Sequence, residues 1–186
     1  MKTVAKWTVE EYHRLIEAGM LDRRRVELIA GEILEMAPES PFHAFVTEGS
    51  AKYIQNLLRG LALIREAHPI ALDDSEPEPD LAIVRLPRQQ YSTRHPGPEE
   101  IFWVIEVSRS TLEYDLTDKK RIYARAGIPE YWGIDIESKR VYLFRDPRGE
   151  DYESVSILDR GTILPLAFPD IPVAIEGFWT ENENSP

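Results

Sequence analysis

The chain has 186 residues, of which 42% are hydrophobic and 30% charged, a balance typical of a globular protein with one sizeable core. It contains no cysteine, which excludes disulfide bonds, thiolate metal sites and cysteine nucleophiles. Oxygen ligands remain, and these favour Mg²⁺, Mn²⁺ or Ca²⁺. The formal net charge of −11 is the wrong sign for a protein that coats DNA non-specifically, so any contact with DNA is expected to be local, metal-assisted or made by an oligomer.

No apolar run approaches the roughly 18 residues of a membrane-spanning helix, and no basic-then-apolar leader opens the sequence. The sequence also shows no internal repeat, low-complexity stretch or linker. These observations predict a cytoplasmic protein formed by a single domain over residues 1–186. Within it we expect an N-terminal helix in residues 1–20 and a frayed polar tail at residues 181–186.

The first sixty residues predict two helices separated by a β-hairpin. Thr8 and Glu11 match a capping box at the start of the first helix. Residues 26–29 and 32–36 are short apolar runs joined by an Ala-Gly turn, which predicts the hairpin. Ser40 followed by proline is typical of the start of a second helix. The expected core face of that helix comprises Phe42, Phe45, Val46, Tyr53, Leu57 and Leu58.

The next forty residues predict two strands and two loops. Residues 61–66 and 81–84 are apolar enough to form strands. The segment 73–80 is acidic and interrupted by prolines, so it is not expected to form a helix or strand, and its acidic run 73–78 is expected to be a solvated loop rather than a set of metal ligands. Asp80 is the last residue of this segment and directly precedes the second strand. Residues 86–100 are polar and contain three prolines and a glycine, which predicts the most mobile loop of the chain.

The stretch 101–135 predicts a strand, a helix and a further strand. Its first seven residues, IFWVIEV, form a run too apolar to face water, yet they include Glu106. A buried charge requires a cation or several hydrogen-bond donors. Downstream, the i, i+4 spacing places Asp115, Lys119 and Tyr123 on one helical face, which can point towards Glu106.

The remaining apolar runs predict four strands, and Trp132 in the first of them is expected in the core. They comprise residues 130–136, 140–144, 152–158 and 163–168. The order of the elements predicts an α/β fold of the mixed α+β kind, with a central mixed sheet flanked by helices, rather than an alternating Rossmann series. The sequence contains neither a G-x-G-x-x-G motif nor a P-loop.

Asp80 and Glu106 each lie at one end of an apolar strand. If the two strands are neighbours, both carboxylates can bind one hard cation, because Mg²⁺ needs only one or two protein carboxylates and keeps several waters. A bound metal lowers the pKa of a water ligand and stabilises a phosphoryl oxyanion. Two alternatives remain at this point: Asp80 is a turn residue following proline, and Glu106 is the buried partner of an arginine.

The sequence resembles the Uma-type family of restriction endonucleases over most of its length, from about Val26 to about Phe178. The resemblance rests on Pro79-Asp80, on Glu106-Val107-Ser108, on the helical residues 115–123 and on the long stretch A-R-A-G-I-P-E-Y-W from Ala124 to Trp132. The upstream segment E-L-I-A-G-E and His43 match as well. The family belongs to the PD-(D/E)XK nuclease superfamily. This implies a restriction-endonuclease-like core and Mg²⁺-dependent hydrolysis of phosphodiester bonds, with Mn²⁺ as a substitute.

The resemblance implies that Asp80 is the aspartate of the "PD" motif and that Glu106 is the acidic residue of "(D/E)XK". The sequence departs from the motif at the lysine, because Ser108 occupies the strand position two residues after the acid. The family implies a lysine on the following helix instead, which is Lys119 here. The alternative is that Asp115 and Lys119 form an ordinary surface ion pair, which contributes only about 0.2–0.5 kcal/mol.

Four further residues are candidates for supporting roles. Glu27 is either a third carboxylate near the metal or a solvated strand residue. His43 has either a role in the site or a capping or packing role. Tyr123 is expected in the core or in a hydrogen bond to Lys119, and Asp115 shares the helical face of that lysine.

The resulting hypothesis is a metal-dependent endonuclease that hydrolyses DNA, with catalytic residues Asp80, Glu106 and Lys119. A homodimer suits this hypothesis, because two-fold symmetry matches cleavage of both strands of a duplex. A second hypothesis is a catalytically inactive interaction or regulatory protein with a nuclease fold, which the net charge and Ser108 favour. A third is a hydrolase of small phosphate compounds.

Overall fold

The computed structural model describes residues 3–179, so the frayed tail expected at 181–186 lies outside the described residues. The N-terminal part follows the predicted order. Helix α1, Val9–Glu17, begins with the capping box of Thr8 and Glu11. The antiparallel hairpin of β1, Val26–Ile29, and β2, Glu32–Glu35, forms a sheet of its own. Helix α2, Pro41–Leu57, is capped by the Ser40 side chain.

The centre of the molecule is a six-stranded mixed sheet in the order β3-β4-β5-β6-β7-β8. Its strands are β3, Leu63–Glu66; β4, Leu81–Val84; β5, Ile101–Ser108; β6, Glu130–Asp135; β7, Arg140–Arg148; and β8, Asp151–Leu158. All neighbouring pairs are antiparallel except β5 and β6. A parallel pair requires a crossover connection, and the helical segment 112–125 provides it.

That helical segment consists of three consecutive parts. Helix α3, Leu112–Tyr114, continues into a π-helical turn, Asp115–Lys119, and then into helix α4, Lys120–Arg125. In the π-helical turn the N–H of Lys120 donates to the carbonyl oxygen of Asp115, five residues earlier. Such turns often occur at functional sites, because they insert one residue into an otherwise regular helix.

Alternate side chains of the central strands face two separate hydrophobic cores. One core lies between the sheet and α2 and contains Trp103 and Trp132, whose rings stack with centroids 5.4 Å apart. The other lies between the sheet and α4 and contains Val104, Tyr123 and Tyr131. The C-terminal strands β9, Thr162–Ile163, and β10, Val173–Ala174, and the 3-10 helix Ile175–Phe178 close the α2 side of the molecule.

Three sequence predictions about the fold are wrong. Phe42 and Phe45 are 48% and 54% exposed, because they lie outside the buried stripe of α2, which comprises Val46, Thr47, Ser50, Ala51 and Ile54. The strand expected at 163–168 is only the two-residue β9.

The third error concerns the acidic segment 73–78, which is not a solvated loop throughout. Ser75 and Glu76 are buried, and the N–H of Glu76 donates to the carbonyl oxygen of Leu28 at 2.7 Å. The segment is therefore anchored against the hairpin β1–β2. In the part of the chain that the structure describes, no helix has the length and apolar character needed to cross a membrane.

Candidate active site

The pairing of β4 with β5 brings Asp80 and Glu106 together. Leu81 lies opposite Ile105 in this antiparallel pair, so the next residues outward, Asp80 and Glu106, also face each other. The N–H of Asp80 donates to Glu106 Oε2 at 3.2 Å, and the N–H of Val107 donates to Asp80 Oδ2 at 2.7 Å. The condition set by the sequence, that the two strands be neighbours, is met.

Both carboxylates line a cavity of about 670 Å³ between the hairpin, the start of α2 and the helical segment after β5. Six of the seven residues singled out in the sequence line this cavity: Glu27, His43, Asp80, Glu106, Asp115 and Lys119. The seventh, Tyr123, is fully buried behind it. Of the two positions expected for Tyr123, the core is therefore confirmed, and its hydroxyl donates to Glu106 Oε1 at 2.5 Å rather than bonding to Lys119.

Lys119 reaches the carboxylates from the π-helical turn and is only 4% exposed. Its Nζ lies 2.6 Å from Glu27 Oε2 and 3.4 Å from Glu106 Oε1. Burial alone lowers the pKa of the ammonium group, but the charges of Glu106 and Glu27 outweigh this effect and hold that pKa above its usual value. Lys119 is therefore a permanent cation at the wall of the cavity.

Glu27 is a buried residue of β1 and not a solvated one, since it is only 5% exposed. Besides the ion pair with Lys119, its Oε2 accepts the N–H of Glu78 at 3.2 Å. Glu27 thus connects the hairpin to the cavity and fixes the position of the lysine. Of its two sequence interpretations, the solvated strand residue is wrong.

Ser108 occupies the strand position at which the motif places its lysine, and it makes a different contact. Its hydroxyl donates to Asp115 Oδ2 at 2.7 Å, and both residues are buried. Lys119 is buried as well and pairs with Glu27 and Glu106. The interpretation of Asp115 and Lys119 as a surface ion pair is therefore wrong. Burial raises the pKa of the Asp115 carboxyl group.

The protonation of Glu106 is set by opposing influences. Burial raises its pKa, the charge of Lys119 lowers it, and the charge of Asp80 raises it again, with a result of about 8. A divalent ion beside Asp80 would add a second cation next to Glu106 and favour its ionised form.

His43 lies at the rim of the carboxylate pair. Its Nε2 is 2.6 Å from the carbonyl oxygen of Val107 and 3.4 Å from Asp80 Oδ2, and its Nδ1 is 2.8 Å from Glu39 Oε1. These partners can only accept, so both ring nitrogens carry protons. The hydrogen bond to Asp80 raises the pKa of the imidazole to about 9 against the effect of burial. The capping role belongs to Ser40, so His43 faces the site.

The residues of the cavity fit a hard divalent ion that retains water. Asp80 directs a partly exposed carboxylate towards the cavity and Glu106 adds a second, which is the number of carboxylates that Mg²⁺ commonly takes from a protein. Within residues 3–179, no group of three or more histidine or acidic side chains is arranged to hold an ion. Water or substrate oxygens would therefore complete the coordination shell.

The residues that line the cavity but were not singled out in the sequence include Arg25, Glu78 and Arg109. Glu78 belongs to the acidic segment that was expected to be solvated, and burial raises the pKa of its carboxyl group. Its position two residues before Asp80 could have indicated proximity to the site. Arg25 and Arg109 lie at strand ends, where no periodicity distinguishes a cavity residue from a solvated one.

The fold and the cavity can now be compared with known proteins. The chain resembles a crystal structure described as "a putative nuclease belonging to DUF820 from Anabaena variabilis ATCC 29413" with a TM-score of 0.69. The sequences are 16% identical, and the similarity covers 92% of this chain and 97% of the other. The two proteins therefore share a fold. No curated protein matches the sequence.

The family follows from the sequence itself. The model of the Uma2 family, described as "Putative restriction endonuclease", matches residues 9–176. The chain belongs to this family. The resemblance seen in the sequence is confirmed, as is the expected mixed α/β fold with a central sheet flanked by helices.

Proposed function

We propose that this protein is a divalent-metal-dependent endonuclease that hydrolyses phosphodiester bonds of DNA. The family description and the nuclease fold of the structural neighbour support the reaction class. The single observation that carries the proposal is the meeting of Asp80, Glu106 and a buried Lys119 in one cavity. Two carboxylates that can hold a metal ion and a lysine that can stabilise charge are groups that metal-assisted hydrolysis of a phosphodiester can use.

Asp80 and Glu106 would hold the metal ion, with Mg²⁺ as the expected species and Mn²⁺ as a substitute. When bound, such an ion lowers the pKa of a water ligand and neutralises charge on the phosphoryl oxygens. Tyr123 and the N–H of Asp80 donate to opposite oxygens of Glu106 and so fix the plane of that carboxylate. The N–H of Val107 orients Asp80 in the same way.

Lys119 acts as a fixed cation in this proposal. Because its pKa is held above the usual value, it does not accept the proton of the attacking water. It instead orients that water or stabilises the charge that develops on the phosphate. Glu27 holds the ammonium group in place through the 2.6 Å ion pair. The lysine absent from the strand at Ser108 is replaced by one on the following helix.

DNA as substrate and a homodimer as the active assembly complete the proposal. A two-fold dimer would present two cavities to the two strands of a duplex. The acidic net charge of −11 means that the contact with DNA depends on the metal ion and on a few local cations.

A nicking assay on supercoiled plasmid with Mg²⁺ or Mn²⁺ tests the proposal. Asp80→Asn and Glu106→Gln keep side-chain size and are expected to abolish nicking. Asp159→Asn is the matched control, because Asp159 is an exposed aspartate paired with Arg160 and does not line the cavity. Undiminished nicking by both site variants would contradict the proposed metal ligands. No nicking by the wild type with either ion would favour the non-catalytic alternative.

A further inference from the structure

Two arginines at the wall of the cavity, Arg25 and Arg109, have no role in the site described above. Their side chains are 48% and 52% exposed, whereas Lys119 is buried between two carboxylates. Among the described residues that line the cavity, these two present the only guanidinium groups. They are therefore the cations that an anionic ligand would meet on entering it.

The two arginines reach the cavity from different elements of the fold. Arg25 is next to Glu78, which precedes β4, and Arg109 follows β5 and is next to Glu137, which follows β6. In the order β4-β5-β6, Asp80 lies at the start of β4 and Glu106 lies on β5. Arg25 is thus associated with the segment that leads into β4, and Arg109 with the end of β5 and the segment after β6.

The contacts of both arginines are loose and leave most of their donors available. Arg25 Nη2 is 3.8 Å from Glu78 Oε2, and Arg109 Nε is 3.5 Å from Glu137 Oε1. Arg94 shows the contrast, because two of its nitrogens lie 2.6 Å and 2.5 Å from the two oxygens of Glu100. A guanidinium group that is not held in this paired geometry can form the same pair of hydrogen bonds with a phosphate.

We propose that Arg25 and Arg109 bind the backbone phosphates on either side of the phosphate that is cleaved. The DNA strand then crosses the cavity from the β4 side to the β6 side, with its central phosphate over Asp80 and Glu106. This inference rests on the proposed function and adds the path of the substrate to it. It would also give a protein of net charge −11 two local cations through which to contact a polyanion.

The test is the salt dependence of binding of a fluorescent oligonucleotide, measured by anisotropy with Ca²⁺ in place of Mg²⁺. Arg25→Ala and Arg109→Ala should each reduce the slope of log K against log salt concentration, by about 0.7 for a single strand and about 0.9 for a duplex. Arg25→Lys and Arg109→Lys keep the charge and should keep the wild-type slope. In the cleavage assay with Mg²⁺, the alanine variants should raise KM and leave kcat unchanged.

Arg160→Ala is the matched control, because Arg160 is exposed, has one carboxylate partner at 3.2 Å and does not line the cavity. An unchanged slope in either cavity variant, or an equal reduction in Arg160→Ala, would overturn the proposed path. If either result is obtained and the wild type cleaves DNA, the proposed nuclease function is retained and only the proposed path of the DNA strand is rejected. If the arginine dependence is found but the wild type does not cleave, the two arginines bind backbone phosphates of DNA, but the nuclease proposal and the placement around a cleaved phosphate both fail.

Discussion

Each oxygen of the Glu106 carboxylate has its own partners. Oε1 accepts from Tyr123 and lies 3.4 Å from Lys119, and Oε2 accepts the N–H of Asp80. The sequence predicted that a charge in so apolar a strand needs partners, and it predicted Lys119 among them. It could not predict the contact with Tyr123 or the pairing of Lys119 with Glu27, because both depend on how the helix and the hairpin pack against the sheet.

At the scale of single residues, the first prediction concerns Lys119. Replacing it with methionine is expected to lower kcat by about 10²–10³-fold, the usual effect of removing one group that stabilises charge in the transition state. Lys120→Met is the matched control, because the adjacent lysine pairs with Asp151 on the surface and does not line the cavity. Steady-state cleavage of plasmid DNA measures both variants.

Lys119→Met leaves Glu27 and Glu106 without their cation and can reduce stability. The double variant Glu27→Gln/Lys119→Met removes the charge of Glu27 that the single substitution leaves unpaired. It therefore distinguishes an effect of Lys119 on stability from an effect on the rate of cleavage. If this double variant is folded by circular dichroism and cleaves at the wild-type rate, Lys119 has no catalytic role.

The second prediction concerns the pH dependence of stability at His43. The pKa of this imidazole is raised from its ordinary value to about 9, chiefly by the hydrogen bond to Asp80, so the folded state binds the proton more tightly than the unfolded state. The stabilisation is therefore complete below about pH 6.5 and is lost as the pH rises through about 9.

Urea unfolding of the wild type and His43→Gln, in EDTA and between pH 6 and pH 10, measures this effect. The difference in free energy of unfolding between the two proteins should shrink across the upper part of that range. A constant difference from pH 6 to pH 10 would show that His43 is not protonated in the folded protein.

At the scale of elements, the π-helical turn Asp115–Lys119 places the lysine. Regular α-helical spacing predicted one shared face for Asp115, Lys119 and Tyr123, and all three do reach the site or its inner wall. The turn itself could not be predicted, because local sequence preferences do not distinguish a π-helical turn from a regular one. Asp115 and Lys119 are both buried where this turn packs in the fold.

The third prediction is that deletion of Thr117 abolishes cleavage. Thr117 is exposed and lies within the π-helical turn, so its removal allows regular i to i+4 bonding. The bond from the Lys120 N–H to the Asp115 carbonyl oxygen then spans four residues, and Lys119 follows Asp115 by three positions instead of four. In a regular helix this spacing turns the two side chains about 60° apart, so we expect that they can no longer both reach their partners.

Thr117→Ala keeps the length of the helix and should retain activity, although it loses the hydrogen bond from the Thr117 hydroxyl to the Glu113 carbonyl oxygen. Plasmid nicking compares the two variants, with circular dichroism to confirm that both are folded. Full activity after the deletion would show that the π-helical turn is not needed to place Lys119.

Most elements were predictable because their signals are local. Helices α1 and α2 begin where the capping box at Thr8 and the proline after Ser40 predicted. Strands β4, β5 and β6 lie where the apolar runs predicted them. The errors arose where tertiary packing decides the outcome. Phe42 is apolar yet exposed, and Glu76 is charged yet buried against the hairpin.

At the scale of the whole molecule, the fold places two carboxylates, one buried lysine and two exposed arginines around one cavity of an acidic protein. Composition predicted that contact with DNA must be local. It could not show where local cations lie, because Arg25 and Arg109 are separated by 84 positions in the chain. They line one cavity only in the folded protein.

The fourth prediction is that divalent metal stabilises the folded protein. At a free Mg²⁺ or Mn²⁺ concentration of about 100 times Kd, binding adds about 2.7 kcal/mol to the free energy of unfolding. For a protein of this size that corresponds to a rise in Tm of roughly 5–10 °C. Thermal denaturation measures the shift, and Asp80→Asn should abolish it. An equal shift in the wild type and in Asp80→Asn would place the ion elsewhere.

The most direct test of the central claim, that Asp80 and Glu106 together hold a divalent ion, is anomalous diffraction from crystals soaked in millimolar Mn²⁺. We expect an anomalous peak in the cavity, within bonding distance of a carboxylate oxygen of Asp80 and of Glu106, and no such peak in crystals of Asp80→Asn. A peak bound to other residues, or no peak in the wild type at millimolar Mn²⁺, would contradict it.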